Sequence, residues 1–224
     1  ISTILMTVIP AKVAGVKNIS ISSPTIGSSL PNNMLLAAAY LCGVENFYTY
    51  GGPQAIASLA IGTENVSKVD MICGPGNIFV MTAKKLVYGE VGLDGIFGPT
   101  ETLIIADNSS NIDYVVGDLM AQAEHDINAQ SILITDSELF LNKVQQEIIR
   151  LSSKLSKKKI IETSLKNNGL IILVDDLNES HEIINYIAPE HLHLHTKEQN
   201  NLLSNVKNAG CIFLGELASE AFGD

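Results

Sequence analysis

Short continuous runs of aliphatic residues alternate along this chain with longer stretches whose apolar positions recur at helical spacing. In the first half this pattern predicts a helix over 3–15, with Ser2 as cap and Pro10 placed to kink or divide it. A strand over 18–22, a helix over 32–41 and a strand over 46–50 follow. Pro53, suited to a first helical position, then opens a helix to about 61. A strand over 69–73 runs into Gly74-Pro75-Gly76-Asn77 and a helix to about 87. The glycine-rich segment 89–99, which carries Asp94, reads as a hinge. Beyond it come a strand over 102–106 and a helix capped by Ser109 or Ser110 that reaches His125, with Asp113 in its first turn. Strands over 131–135, 170–174, 191–195 and 211–214 alternate with helices over 137–156, 179–187 and 197–206. Such alternation implies an α/β protein with mostly parallel sheets and right-handed crossovers, in two lobes, 1–99 and 100–224.

Composition agrees with buried parallel strands. Of 224 residues 46% are hydrophobic and 17% charged, while aromatics are 5% and Trp is absent, so aliphatic side chains supply the core. A net charge of −10 argues against nucleic-acid or anionic-membrane partners, which require a basic surface. The one basic run, 154–159, reads as the solvated C-terminus of the helix before it. Cys42, Cys73 and Cys211 are dispersed among apolar residues without CxxC spacing, and are expected to be buried free thiols in a reducing compartment. No apolar run approaches the roughly 20 residues of a membrane span, and residues 1–6 have no basic region before them that would make a signal peptide. The chain lacks an initiator Met and stops at Ala221-Phe222-Gly223-Asp224, and both ends are read as truncated.

The chemistry concentrates in two segments, Gln122-Ala123-Glu124-His125-Asp126 and Ala188-Pro189-Glu190-His191-Leu192-His193-Leu194-His195, which hold four of the five histidines. Histidine titrates near neutral pH and is the commonest metal ligand, so the clustering suggests proton transfer, metal binding or both. Gln122 and His125, three apart on a predicted helix, share a face and could hold one ion, or be structural. Glu190 and His191 stand at a strand entrance as carboxylate and imidazole, each able to act as a base. His191, His193 and His195 share one strand face. They could chelate a metal together, but the preferred reading is one functional His at the buried end and two solvated ones, and an exposed edge strand is also open. Gly74-Pro75-Gly76-Asn77 and Gly51-Gly52-Pro53-Gln54 each precede a helix whose free amides suit an anion, although neither completes GxGxxG and a plain tight turn is the simpler reading.

Taken together these blocks resemble the histidinol dehydrogenase family. The resemblance runs through Gly51-Gly52-Pro53-Gln54-Ala55-Ile56-Ala57, Lys68-Val69-Asp70 with Gly74-Pro75-Gly76-Asn77, and Gly98-Pro99-Thr100-Glu101. It continues through Gln122-Ala123-Glu124-His125-Asp126, Ala188-Pro189-Glu190-His191-Leu192, Asn208-Ala209-Gly210 and Glu220-Ala221-Phe222-Gly223-Asp224. It implies two incomplete Rossmann-like lobes with the active site between them. The implied reaction is NAD-dependent, four-electron oxidation of L-histidinol to L-histidine through an enzyme-bound aldehyde, with one zinc ion per site orienting the substrate. By resemblance Gln122, His125 and Asp224 match zinc ligands and, like His191, also touch substrate, Glu190 and His191 match the catalytic acid/base pair, and Gln54 and Asn77 match NAD contacts. Thr100 matches a substrate contact that is usually Ser, and Pro53 stands where Ala is commoner. The family's fourth zinc ligand and a substrate-binding Glu would lie beyond Asp224 and come from the partner of an intertwined homodimer. Weak zinc binding and little turnover are therefore expected of residues 1–224 alone. A cytoplasmic location is expected. Two other readings stay open: a zinc hydrolase with Glu190 as base, which needs no NAD, and a non-catalytic two-lobed small-molecule binder.

Overall fold

A computed structural model describes residues 1–25, 27 and 30–219. Two compact units divide the chain, Ile1–Gly98 and Pro99–Asp224. Every strand pairing among the described residues is parallel.

The first unit contains two separate strand pairs rather than one sheet. Helix α1 (Ser2–Val13) and α2 (Asn33–Leu41) accompany β1 (Ser20–Ser22) and β2 (Asn46–Tyr48), with a small core of Ile4, Val8 and Ala38. Ile1, not Ser2, occupies the cap position of α1, and the helix continues through Pro10 instead of dividing there. Helices α3 (Pro53–Ile61) and α4 (Ile78–Leu86) pack over β3 (Met71–Ile72) and β4 (Gly92–Leu93) around Ile56, Ala60, Ile72, Ala83 and Val91. Strand β4 lies inside the segment expected to be only a hinge. Its glycines masked a two-residue pairing too short to leave a hydrophobic period. Of the expected buried thiols, Cys73 is exposed and Cys42 and Cys211 are half-buried, because each lies at the end of an element rather than within it.

The second unit is a five-stranded sheet in the order β7-β6-β5-β8-β9, from β5 (Glu101–Ala106), β6 (Gln130–Thr135), β7 (Gly169–Leu173), β8 (His191–His195) and β9 (Cys211–Leu214). Renumbered within the unit, this is the 3-2-1-4-5 order of a Rossmann sheet. The aliphatic runs are buried on both faces. Ile104, Ala106 and Leu133 meet α5 (Ile112–Ala123), α6 (Glu138–Ser152) and α7 (Lys158–Asn168). On the opposite face Leu103, Ile105, Ile132, Ile134, Leu192 and Leu194 meet α8 (Ser180–Ile187) and α9 (Gln199–Leu203). Each such side chain contributes about 1.5–3 kcal/mol of hydrophobic stabilisation, which makes this sheet a rigid platform.

Three expectations change here. Asn111 caps α5, its side chain accepting from the Asp113 amide at 3.0 Å, while Ser109 serves Asp107 and the Ser110 hydroxyl donates to the His195 carbonyl at 2.5 Å. The helix ends at Ala123, before His125. The basic run bridges two helices rather than ending one. Lys158 and Lys159 fall in the first turn of α7, the wrong end for a cation, and Lys158 is compensated by Glu162 at 3.6 Å and Lys157 by Glu124 at 3.7 Å. No helix of the described residues is long and apolar enough to cross a membrane.

Candidate active site

In the first unit, the helix-opening loops place Gln54 in the first turn of α3 and Asn77 at the start of α4, and both side chains are exposed. Asn77 Oδ1 accepts from the amides of Phe79 and Val80, each at 3.1 Å, so two of the free donors of α4 serve its own cap. The groups exposed at the two helix starts are the carboxamide N–H groups and, at α4, the positive end of the helix, which attracts anionic groups.

A buried cation holds the loop before Asn77. Lys84 is fully buried and its Nζ donates to Asp94 Oδ1 and to the Gly74 carbonyl at 2.9 Å, 5.6 Å from the centre of the Phe97 ring. Asp94 in turn accepts from the Gly74 amide at 2.7 Å and the Gly95 amide at 2.9 Å. The Cys73 thiol beside them, exposed but partly desolvated by its surroundings, has its pKa pushed up by that desolvation first and then by the negative Asp94, which leaves it a poor nucleophile at neutral pH. Sequence reasoning noted Asp94 only as part of a hinge and missed Lys84. A lysine on the apolar side of a short helix was the available signal.

In the second unit, Thr100, Gln122, His125, Glu190 and His191 all lie toward the amino ends of the strands. Thr100 immediately precedes β5, Gln122 is in the last turn of α5, His125 is in the turn toward β6, and Glu190 and His191 open β8. Gln122 is fully buried, and neither its Oε1 nor its Nε2 has a hydrogen-bond partner. A buried carboxamide without partners costs about 1–3 kcal/mol, so these atoms fit a ligand role. His125 is exposed and lies beyond the helix, so Gln122 and His125 are not one turn apart on a common helical face; the backbone turns between them, His125 N–H donating to the Gln122 carbonyl at 3.2 Å. Asp224 lies outside the described residues. Of these two donors an imidazole is a usual zinc ligand and a glutamine amide oxygen an uncommon one.

Backbone contacts fix the Glu190–His191 corner. Ala188 ends α8 in the left-handed region at φ 52°, turning the chain sharply into Pro189. Gly210 N–H donates to the Pro189 carbonyl at 3.0 Å and Cys211 N–H to the Glu190 carbonyl at 2.8 Å. A Cβ on Gly210 would stand 2.7 Å from the Glu190 carbonyl oxygen, so only glycine permits this approach. Asn185 Oδ1 accepts from the amides of Lys207 and Asn208, binding the same loop to α8. Glu190 is exposed and His191 is half-buried, its ring edge-on to Phe213 at 5.7 Å. Glu101 has its pKa raised by burial and then by the neighbouring Glu190 charge, so two carboxylates share this corner.

The other two strand histidines reverse the expected order of burial. His193 and His195 are buried and β8 is an inner strand between β5 and β9, which excludes both the solvated pair and the edge strand. Register sets them beside Ile104 and Ala106 on the face covered by α5. Asp118 of α5 reaches His193 Nδ1 at 3.5 Å and His195 Nε2 at 3.4 Å, and the three donor atoms lie within 4.8 Å of one another. Asp118 carried no signal in the sequence, since its partners are some 75 residues away.

The architecture defines a class first, a two-unit α/β protein with parallel sheets. An acetylating aldehyde dehydrogenase from Geobacillus thermoglucosidasius shares the fold at TM-score 0.53 and 16% identity, over 85% of this chain and 55% of that one. The histidinol dehydrogenase profile matches residues 1–224, and the chain belongs to the histidinol dehydrogenase family. A histidinol dehydrogenase from Aquifex aeolicus is 51% identical over 223 residues, covering 100% of this chain and 51% of that protein. The crystal structure of histidinol dehydrogenase from Elizabethkingia anophelis superposes at TM-score 0.93 and 37% identity, over 99% of this chain and 51% of that one. The chain thus spans about half the length of these relatives.

Proposed function

We propose that the protein carrying this chain oxidises L-histidinol to L-histidine in two hydride-removing steps through an aldehyde held on the enzyme. The observation that supports this most is the Glu190–His191 pair, a carboxylate and an imidazole set at the mouth of a rigid inner strand by the Gly210 and Asn185 contacts. When bound, zinc would supply a Lewis-acidic anchor for the substrate's nitrogen atoms, and NAD would supply the hydride acceptor. Gln122 and His125, with Asp224, would hold the metal, and Gln54 and Asn77 would contact the dinucleotide. Thr100 would offer its hydroxyl to the substrate.

His191 takes the hydroxyl proton as the carbinol carbon is oxidised to the aldehyde. Glu190 then draws a proton from the water that adds to the aldehyde carbon. His191 accepts the hydroxyl proton of the resulting hydrate in the second oxidation, which yields the carboxylic acid.

The assembly we infer is a homodimer whose partner completes the site, located in the cytoplasm. Because the chain spans about half the length of its relatives, residues 1–224 alone should turn over little. The test is NADH formation from L-histidinol by the full-length protein, before and after zinc removal. The expected result is two NADH per histidine, lost on chelation and restored by zinc, with His191→Asn lowering kcat by about 10²–10⁴. Unchanged turnover in His191→Asn would overturn the role given to that residue. Absence of NADH from folded, zinc-loaded protein would overturn the reaction.

A further inference from the structure

We propose that Asp118, His193 and His195 form a second divalent-metal site, separate from the one built on Gln122 and His125, that takes a borderline transition ion such as Zn²⁺ and locks α5 onto β8.

The fold makes the donor set from two independent regularities. Alternation along β8 puts His193 and His195 on one face two residues apart, and the β5–α5–β6 crossover lays α5 over that face with Asp118 directed at both rings. One carboxylate oxygen, Asp118 Oδ2, faces both imidazoles, at 3.5 Å from His193 Nδ1 and 3.4 Å from His195 Nε2. Hydrogen bonds between an imidazolium and a carboxylate are shorter, about 2.7–2.9 Å. Ligands held about 2.1 Å from a tetrahedral ion stand about 3.4 Å from one another. The two Asp118 spacings are longer than a charge-assisted hydrogen bond and match the separation of ligands around an ion.

Burial points the same way. The His195 side chain is 1% exposed and the Asp118 side chain 14%. Neither ring nitrogen of His195 makes a hydrogen bond. An imidazole so enclosed without a hydrogen bond is costly, and coordination would remove that cost. The ring of His193 is held flat against Phe213, 4.4 Å between centres and 12° between planes, and the His195 backbone is tied by the Ser110 hydroxyl, so the donors are positioned before an ion arrives. Two imidazoles and one carboxylate favour Zn²⁺, Co²⁺ or Fe²⁺ over Mg²⁺ or Ca²⁺, which take oxygen ligands.

The position gives the ion a task. Asp118 and Gln122 are four residues apart on α5 and so share a helical face. An ion joining Asp118 to β8 would fix the rotation of α5, and with it the placement of the buried Gln122 carboxamide.

The test loads the full chain with Zn²⁺ and collects anomalous diffraction at the zinc edge. The expected result is a peak bounded by Asp118 Oδ2, His193 Nδ1 and His195 Nε2. An ordered Asp118–His193–His195 cluster with no peak would overturn the proposal. In solution, a Gln122→Ala/His125→Ala variant should still bind one equivalent of Co²⁺ with the visible absorption of a four-coordinate nitrogen–oxygen site. Adding His195→Gln should weaken that binding by more than about 100-fold, since it removes a ligand and not merely a supporting group. Equal Co²⁺ affinity with and without His195→Gln would also overturn it. Should His195→Gln fail to fold, the diffraction result decides.

Discussion

Removing the counter-charge of Lys84 should loosen the first unit far more than removing Lys84 itself. The ammonium is fully buried with two acceptors, the Asp94 carboxylate and the Gly74 carbonyl. Asp94→Asn leaves that charge enclosed and uncompensated, a change that costs about 3–5 kcal/mol. Lys84→Met keeps the packed stem and deletes the charge. The Asp94 side chain, 23% exposed, keeps its two amide donors and can be rehydrated, so the loss should be about 1–2 kcal/mol. The double variant should resemble Lys84→Met, which implies a coupling as large as the Asp94→Asn loss itself, about 3–5 kcal/mol. Amide hydrogen exchange on the full chain reads this locally, because about 1.4 kcal/mol is a tenfold change in the opening equilibrium. Asp94→Asn should speed exchange in β3 and α4 by more than about 100-fold and leave β5, β6 and β8 little changed. Equal effects of the two single variants would refute the reasoning, because then the charge is not enclosed as the geometry requires.

Two more outcomes follow from the corner around Glu190. Under the proposed reaction, Gly210→Ala should drive the Glu190 carbonyl away from β9 and reduce kcat of the full-length protein at least about tenfold with a smaller change in KM, since reacting groups tolerate little misplacement; an unchanged kcat would contradict the role proposed for this corner. Glu101 has its pKa raised above the ordinary 4.5 by burial and by Glu190, so its ionisation opposes folding at neutral pH. Glu101→Gln should accordingly be more stable than the parent at pH 7, with the gain shrinking as pH falls through the raised value and gone below about 4.5, as urea midpoints across that range would show. A stability difference independent of pH would show that the charge is not its source.

The sequence by itself determined which residues become strands, helices and turns wherever a single physical rule acted alone. Helix α3 and strands β8 and β9 occupy the expected spans because Pro53 sets a helix start and the aliphatic or alternating runs have unbroken period. The placement of Glu190 and His191 at a strand entrance was legible for the same reason, as β8 begins at His191. Three features needed the fold. The end of α5 before His125, the break between α6 and α7, and the two-residue strand β4 are boundary matters in which capping and tertiary packing outweigh propensity. The burial of His193 and His195 was decided by sheet order, since only strand neighbours on both sides turn an alternating His-Leu strand inward. The Lys84–Asp94 lock and the Asp118–His193–His195 cluster join residues 10 and about 75 positions apart, and no local period records which distant carboxylate the crossover will lay against a buried cation or imidazole.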